Sequence, residues 1–302
     1  MGRTKTRKMV IGSMIAGIFG ALSLINTYTG GMMDVLICYV MVIPLTWYGY
    51  TYTLKDNVIV CIVSMLVIAM VGLPFFIISS ISSCLAGLFL GEALKRKAKK
   101  ETILLGTFCT SMLNNVFLYE VFSGLLGMNL EAKMTMMYEE MIAFMPKLSQ
   151  LVSLDMMLSL IPLVLVILSV MEMYVIVLLC QLVLSRLKIE FPGSFHIAAI
   201  QFSKKTGIVL IVSLFASYYI NKYVYSHIYL TYIYILCMLA LGLEGLSFVN
   251  FYLIVIQKPK LSIFAMLSVL VPIIDYIYVG IGILDIFGDL RRILLYNIAN
   301  NE

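Results

Sequence analysis

Charge is scarce in these 302 residues: Asp, Glu, Lys and Arg together make up 12%, about half the share found in an average soluble protein. Histidine is scarcer, with two copies, His196 and His227, in different gaps between apolar blocks. A His-dependent triad or a His-based metal cluster is hard to assemble from so few, and HExxH is absent. No GxxxxGK[ST] loop occurs, so ATP hydrolysis by that route is excluded. Neither an arginine-rich voltage-sensor helix nor a selectivity-filter motif is present. The six cysteines (Cys38, Cys61, Cys84, Cys109, Cys180 and Cys237) form no CxxC pair and all fall within apolar blocks. They read as small packing residues rather than disulfides or metal ligands. No enzyme, metal or cofactor is expected.

What the chain has instead is apolar length. Hydrophobic residues make up 62% and the mean hydropathy is +1.03. They run in blocks at 9–28, 33–51, 57–73, 75–94, 102–126, 158–185, 206–222, 228–256 and 261–287. About 20 such residues span a bilayer, so lipid is the expected solvent. Strands alternating at period two are absent, which excludes a barrel. The fold class is therefore all-α, a polytopic membrane helix bundle of eight to nine transmembrane helices. The ninth block, interrupted by Pro272 and Asp275, reads either as a crossing or as a re-entrant segment.

Lys and Arg lie in the short gaps, so the net charge of +5 is a topology signal and nucleic acid is not an expected partner. With the N-terminus cytoplasmic, 16 basic residues fall on one side: Arg3 to Lys8, Lys55, Lys95 to Lys100, Arg186, Lys188, Lys204, Lys205, Lys258 and Lys260. Three (Lys133, Lys147 and Lys222) fall on the other. The basic start, apolar run and Ala21-Leu22-Ser23 imitate a signal peptide, but the spans that follow favour an uncleaved anchor. Three portions are expected: a six-helix bundle at 1–185, a basic cytoplasmic connector at 186–205, and C-terminal membrane helices with a short tail at 206–302. The segment 127–157 carries Met134, Met137, Met141 and Met145 at helical spacing. It reads as a surface connector or as a lid.

Small residues repeat every four positions at Gly12, Ala16 and Gly20, with Ser13, Gly17 and Ala21 beside them, and again at Ser79, Ser83, Gly87 and Gly91. Such faces let another helix approach closely, either in this chain or in a partner. Polar residues inside spans are costly and therefore candidates for function. Thr107, Ser111, Asn115, Tyr119 and Ser123 form a four-spaced line flanked by Asn114 and Glu120. Asn and Tyr both donate and accept, which suits a neutral polar solute or helix–helix glue. Glu172, Glu244 and Asp275 are intramembrane acids with no basic partner within the blocks, and are candidates for proton or ion coupling. Asp34 and Asp285 lie nearer helix ends, where a hydrogen-bonded structural acid is an equal reading.

Six spans, the small-residue stripe on the first, Pro44 before the Trp47/Tyr48/Tyr50/Tyr52 cluster, and the tight Gly72–Pro74 turn resemble the S components of energy-coupling-factor vitamin transporters. The stretch from Leu85-Ala86-Gly87 to Gly91, with its basic run, adds to this. At pattern level the whole chain is also similar to the bacterial YybS-like membrane protein family. That likeness rests on Gly280–Asp285, Gly288–Arg292, Gly242–Ser247, and Asn114-Asn115 with Gly124 and Gly127. The resemblance implies a bacterial inner-membrane, multi-pass protein that binds a small solute from outside, and the polar line of the fifth span makes Asn115, Tyr119, Asn114 and Glu120 the candidate contacts. It also implies that the Gly12–Ala16–Gly20 face docks a coupling subunit. A membrane scaffold or assembly factor without transport activity is the alternative. The segment after 185 departs from the six-helix pattern.

Overall fold

A computed structural model describes residues 2–121, 130–145, 153–193, 197–223, 227–258, 261–268 and 272–299. The chain divides into two compact units, Met1–Gly193 and Ser194–Glu302, a division that falls inside the basic connector.

The first unit opens with α1 (Gly2–Tyr28), α2 (Asp34–Thr51), α3 (Leu54–Val71) and α4 (Pro74–Lys95). The turn between α1 and α2 needs Gly30 and Gly31, whose φ of +66° and +85° L side chains rarely adopt. A capping box starts α3: the Asp56 N–H donates to Thr53 Oγ1, and the Thr53 N–H donates back to Asp56 Oδ2, both at 3.3 Å. Lys8 of α1 donates to the same carboxylate at 2.6 Å, tying those helix ends together. Pro74 sits in the first turn of α4, where its missing N–H costs nothing.

Helix α5 (Lys100–Val116) passes into a π turn, Phe117–Val121. Helices α6 (Leu130–Phe144), α7 (Leu154–Ser159) and α8 (Ile161–Arg186) complete the unit. Helix α6 carries the methionine series, and none of its described side chains is buried. The core gathers Phe19, Met41, Leu45, Ile68 and Phe76, each fully buried.

Small residues set the helix crossings. A Cβ on Gly91 would meet the Gly49 Cα at 2.9 Å, and one on Gly87 would meet Leu45 Cβ at 2.7 Å, so α2 and α4 touch backbone to backbone. On α1, a Cβ at Gly12 or Gly20 would come within 2.6 Å of Val60 or Val67 of α3, and Ala16 is 4% exposed. The face that the resemblance assigns to a coupling subunit is thus filled by this chain's own α3. The neighbouring stripe of Ser13, Gly17 and Ala21 is exposed, with nothing near Gly17.

The second unit contains a 3₁₀ turn (Ile197–Ala199), α9 (Lys204–Tyr223), α10 (Ile228–Val255), α11 (Ser262–Ser268), α12 (Pro272–Gly288) and α13 (Leu290–Ala299). Helices α10 and α12 cross where Gly245 meets the Tyr278 carbonyl and Gly282 meets the Leu241 carbonyl, with no room for a Cβ at either glycine.

Seven helices among the described residues are long and apolar enough to cross a membrane: α1 to α5, α8 and α10. This is fewer than the eight to nine expected. Helix α9 has the length, but its end carries Tyr218, Tyr219, Asn221, Lys222 and Tyr223. The ninth block is two helices, α11 and α12, and the 17 residues of α12 reach only about 25 Å.

Candidate functional site

The four-spaced line on α5 points inward. Thr107, Ser111 and Asn115 are all buried, because lipid offers their polar atoms nothing and α4 and α8 pack on that face. Thr107 satisfies its hydroxyl on the Ile103 carbonyl at 2.8 Å. One helical turn beyond Ser111, Asn115 Nδ2 donates to Ser169 Oγ at 3.0 Å and to Glu172 Oε2 at 3.3 Å. Ser169 passes its own proton to the Leu165 carbonyl at 2.7 Å. The Asn115 amide is therefore held in one orientation by α8.

Beside this pair lies a cavity of about 90 Å³ bounded by α2, α4, α5 with its π turn, and α8. Asp34 and Tyr39 contribute from α2, Ser79 and Ser83 from α4, Asn114, Asn115 and Tyr119 from α5 and the π turn, and Glu172 from α8. The volume has room for several waters. Asn26 on α1 donates to the Asp34 carboxylate and fixes it at the start of α2. Among the described residues, the lining contains two carboxylates and no Lys, Arg or His. It can accept hydrogen bonds from many directions and attract positive charge, with tyrosine rings available to face a cation.

Of the expected solute contacts, the structure brings Asn114, Asn115 and Tyr119 to this cavity, and brings Glu172 there with them. The Glu120 side chain lies outside the described residues, as do Ser123, Gly124 and Gly127. The four-residue spacing gave no hint of Asp34, Tyr39 or the α4 serines, because they come from other helices.

The second polar cluster is sealed. Glu244 on α10 and Asp285 on α12 are both fully buried, and Arg291 of α13 is 8% exposed. Arg291 Nε donates to Asp285 Oδ2 at 2.8 Å, and its Nη2 lies 3.6 Å from Glu244 Oε1. The guanidinium also donates to the Ala198 carbonyl at 3.0 Å, the Ile200 carbonyl at 2.8 Å and Ser247 Oγ at 3.0 Å. The Phe202 N–H donates to Glu244 Oε2 at 3.1 Å.

Glu244 thus has a basic neighbour, contrary to the expectation of intramembrane acids without one. Arg291 lies beyond the ninth apolar block, and it returns because α12 stops at Gly288 and Asp289 takes a left-handed φ of +47°. That conformation is one Asp tolerates better than most residues. Asp275 stands apart: it is half-buried in the first turn of α12, ten residues and so about 15 Å along the helix from Asp285. No three His, Cys, Asp or Glu side chains gather as a metal site among the described residues.

Residues 17–286 match a family described as a predicted membrane protein (DUF2232), and the chain belongs to that family. With several apolar helices of spanning length, it is a multi-pass membrane protein. No curated protein matches the chain, and no solved structure does.

Proposed function

We propose that this member of the predicted membrane protein family binds a small, polar, positively charged solute in the cavity of its first unit, as the solute-binding component of a transport system. The observation that carries the reading is the lining: Asp34 and Glu172, with Asn114, Asn115, Tyr39 and Tyr119, and no base among them. A scaffold calls for a bundle packed through its polar faces, and the cavity favours binding over that role.

Orientation follows from charge. Asp34 opens α2, Ser79 lies in the second turn of α4, and Tyr119 lies past the end of α5, whereas Lys8, Lys55 and Lys95–Lys100 mark the opposite helix ends. Basic residues stay cytoplasmic, so the N-terminus is inside and the cavity opens toward the outer face of a bacterial inner membrane. That arrangement is what the likeness to S components and to the YybS-like family leads one to expect. Because α3 fills the Gly12–Ala16–Gly20 face, a coupling subunit that docks on α1 meets Ser13, Gly17 and Ala21. Glu172, inside the cavity, is the acid placed to couple solute to proton or ion movement.

The test begins with gentle purification of the full chain and mass spectrometry of co-purifying subunits and small molecules. Thermal unfolding is then followed with methylammonium or ethanolammonium, with acetate as the anionic control. Stabilisation by the cations and not by acetate, absent in Glu172→Gln, is expected. No co-purifying ligand or subunit, together with no cation-specific shift, sinks the reading.

A further inference from the structure

The second unit holds two acids against one base, with no solvent-exposed surface on either acid. Glu244 and Asp285 are 0% exposed, so if both carboxyls are ionised the single Arg291 charge leaves one negative charge buried and unpaired, which protein interiors tolerate poorly. Among the described residues, the surroundings bring no second cation. From the turn before α9 come the Ala198 and Ile200 carbonyls and the Phe202 N–H, and from α10 comes Ser247. Lys204 of α9 pairs with Asp289 at 2.5 Å, and Lys205 and Arg292 are exposed. Tyr278 of α12 spends its hydroxyl on the Ala265 carbonyl and Ser268.

Hydrogen bonding leaves the same deficit as charge. Glu244 Oε1 and Asp285 Oδ1 are buried oxygens with no donor, and the 3.6 Å from Arg291 Nη2 to Glu244 Oε1 is too long for a hydrogen bond. The two carboxyls nevertheless converge on one guanidinium, Asp285 Oδ2 at 2.8 Å from Arg291 Nε and Glu244 Oε1 at 3.6 Å from its Nη2. Two carboxylates are acceptors only and cannot bond, whereas a carboxylic acid beside a carboxylate can. We propose that Glu244, Asp285 and Arg291 form a binding site for one proton, shared between the two carboxyls and taken up from or returned to water as hydronium. One proton neutralises the cluster and gives the orphaned oxygens a bond. The inference stands on the second unit alone and does not rest on the solute-binding reading.

The charge count sets the test. Full-length protein in detergent is compared by infrared spectroscopy with Glu244→Gln, Asp285→Asn and the double variant, alongside thermal unfolding. Each single amide leaves one acid against Arg291, so both singles melt close to the parent, and both lose the same protonated-carboxyl C=O band. The double variant leaves the guanidinium bare and melts far lower. Persistence of the band in both singles overturns the proposal. So does failure of both singles to fold, because a balanced site tolerates each. Stabilisation of the parent by sodium or potassium that vanishes in the singles places a metal cation there instead of a proton. If one single variant does not fold, the other reads the band alone.

Discussion

The two units carry the same kinds of polar side chain and treat them in opposite ways. In the first, Asp34 and Glu172 border open space and no base lines the cavity among the described residues. In the second, Glu244 and Asp285 close on Arg291 with no exposed surface on either acid. An acid without a base needs water or a ligand, whereas two acids sharing one guanidinium lack only a single positive charge. The presence of a single arginine therefore separates a place with room for a solute from a place with room for no more than a proton. Acids in apolar helices are read as functional by default, and the comparison shows that their partners decide the role.

The largest effect expected from breaking that contrast is in the sealed cluster. Arg291→Gln strands two buried acids and costs about 3–5 kcal/mol, read as a large fall in melting temperature or loss of folded protein. Next is Gly245→Ala, which pushes a Cβ into the Tyr278 carbonyl of α12. Overpacking of this kind costs about 1–3 kcal/mol, whereas Gly280→Ala on α12, with open space at its Cβ, leaves the melting temperature unchanged. In the open cavity, Asn115→Ala removes the donor to Ser169 and Glu172. A hydrogen bond to a charged group is worth about 1.5–3 kcal/mol, so cation affinity falls by about tenfold or more in a titration. The smallest effect is on α1: Gly17→Ala stays within about 0.5 kcal/mol of the parent and serves as the control for Gly12→Leu, which collides with Val60.

Much of the first unit is legible in the sequence. Period-four spacing alone puts Thr107, Ser111 and Asn115 on one inward face of α5, and apolar length predicts that α5 crosses. Spacing does not say which of two adjacent stripes on α1 is free, since Gly12–Ala16–Gly20 and Ser13–Gly17–Ala21 have the same period. Only the placement of Val60 and Val67 decides it. Arg291 is hidden for a different reason. Counting charges by gap assigns it to a membrane face, and the helix break at Gly288–Asp289 brings it to acids on other helices. Asp34 was visible as an acid near a helix end, but nothing local connects it with Glu172.

The π turn at Phe117–Val121 gives the cavity a register as well as a wall. Such a turn stores one residue more than an α turn. Moving that surplus by one position reorients only the residue it passes, by about 100°, while the helix on either side keeps its register. Tyr119 borders the cavity from within that wide turn, one helical turn beyond the clamped Asn115.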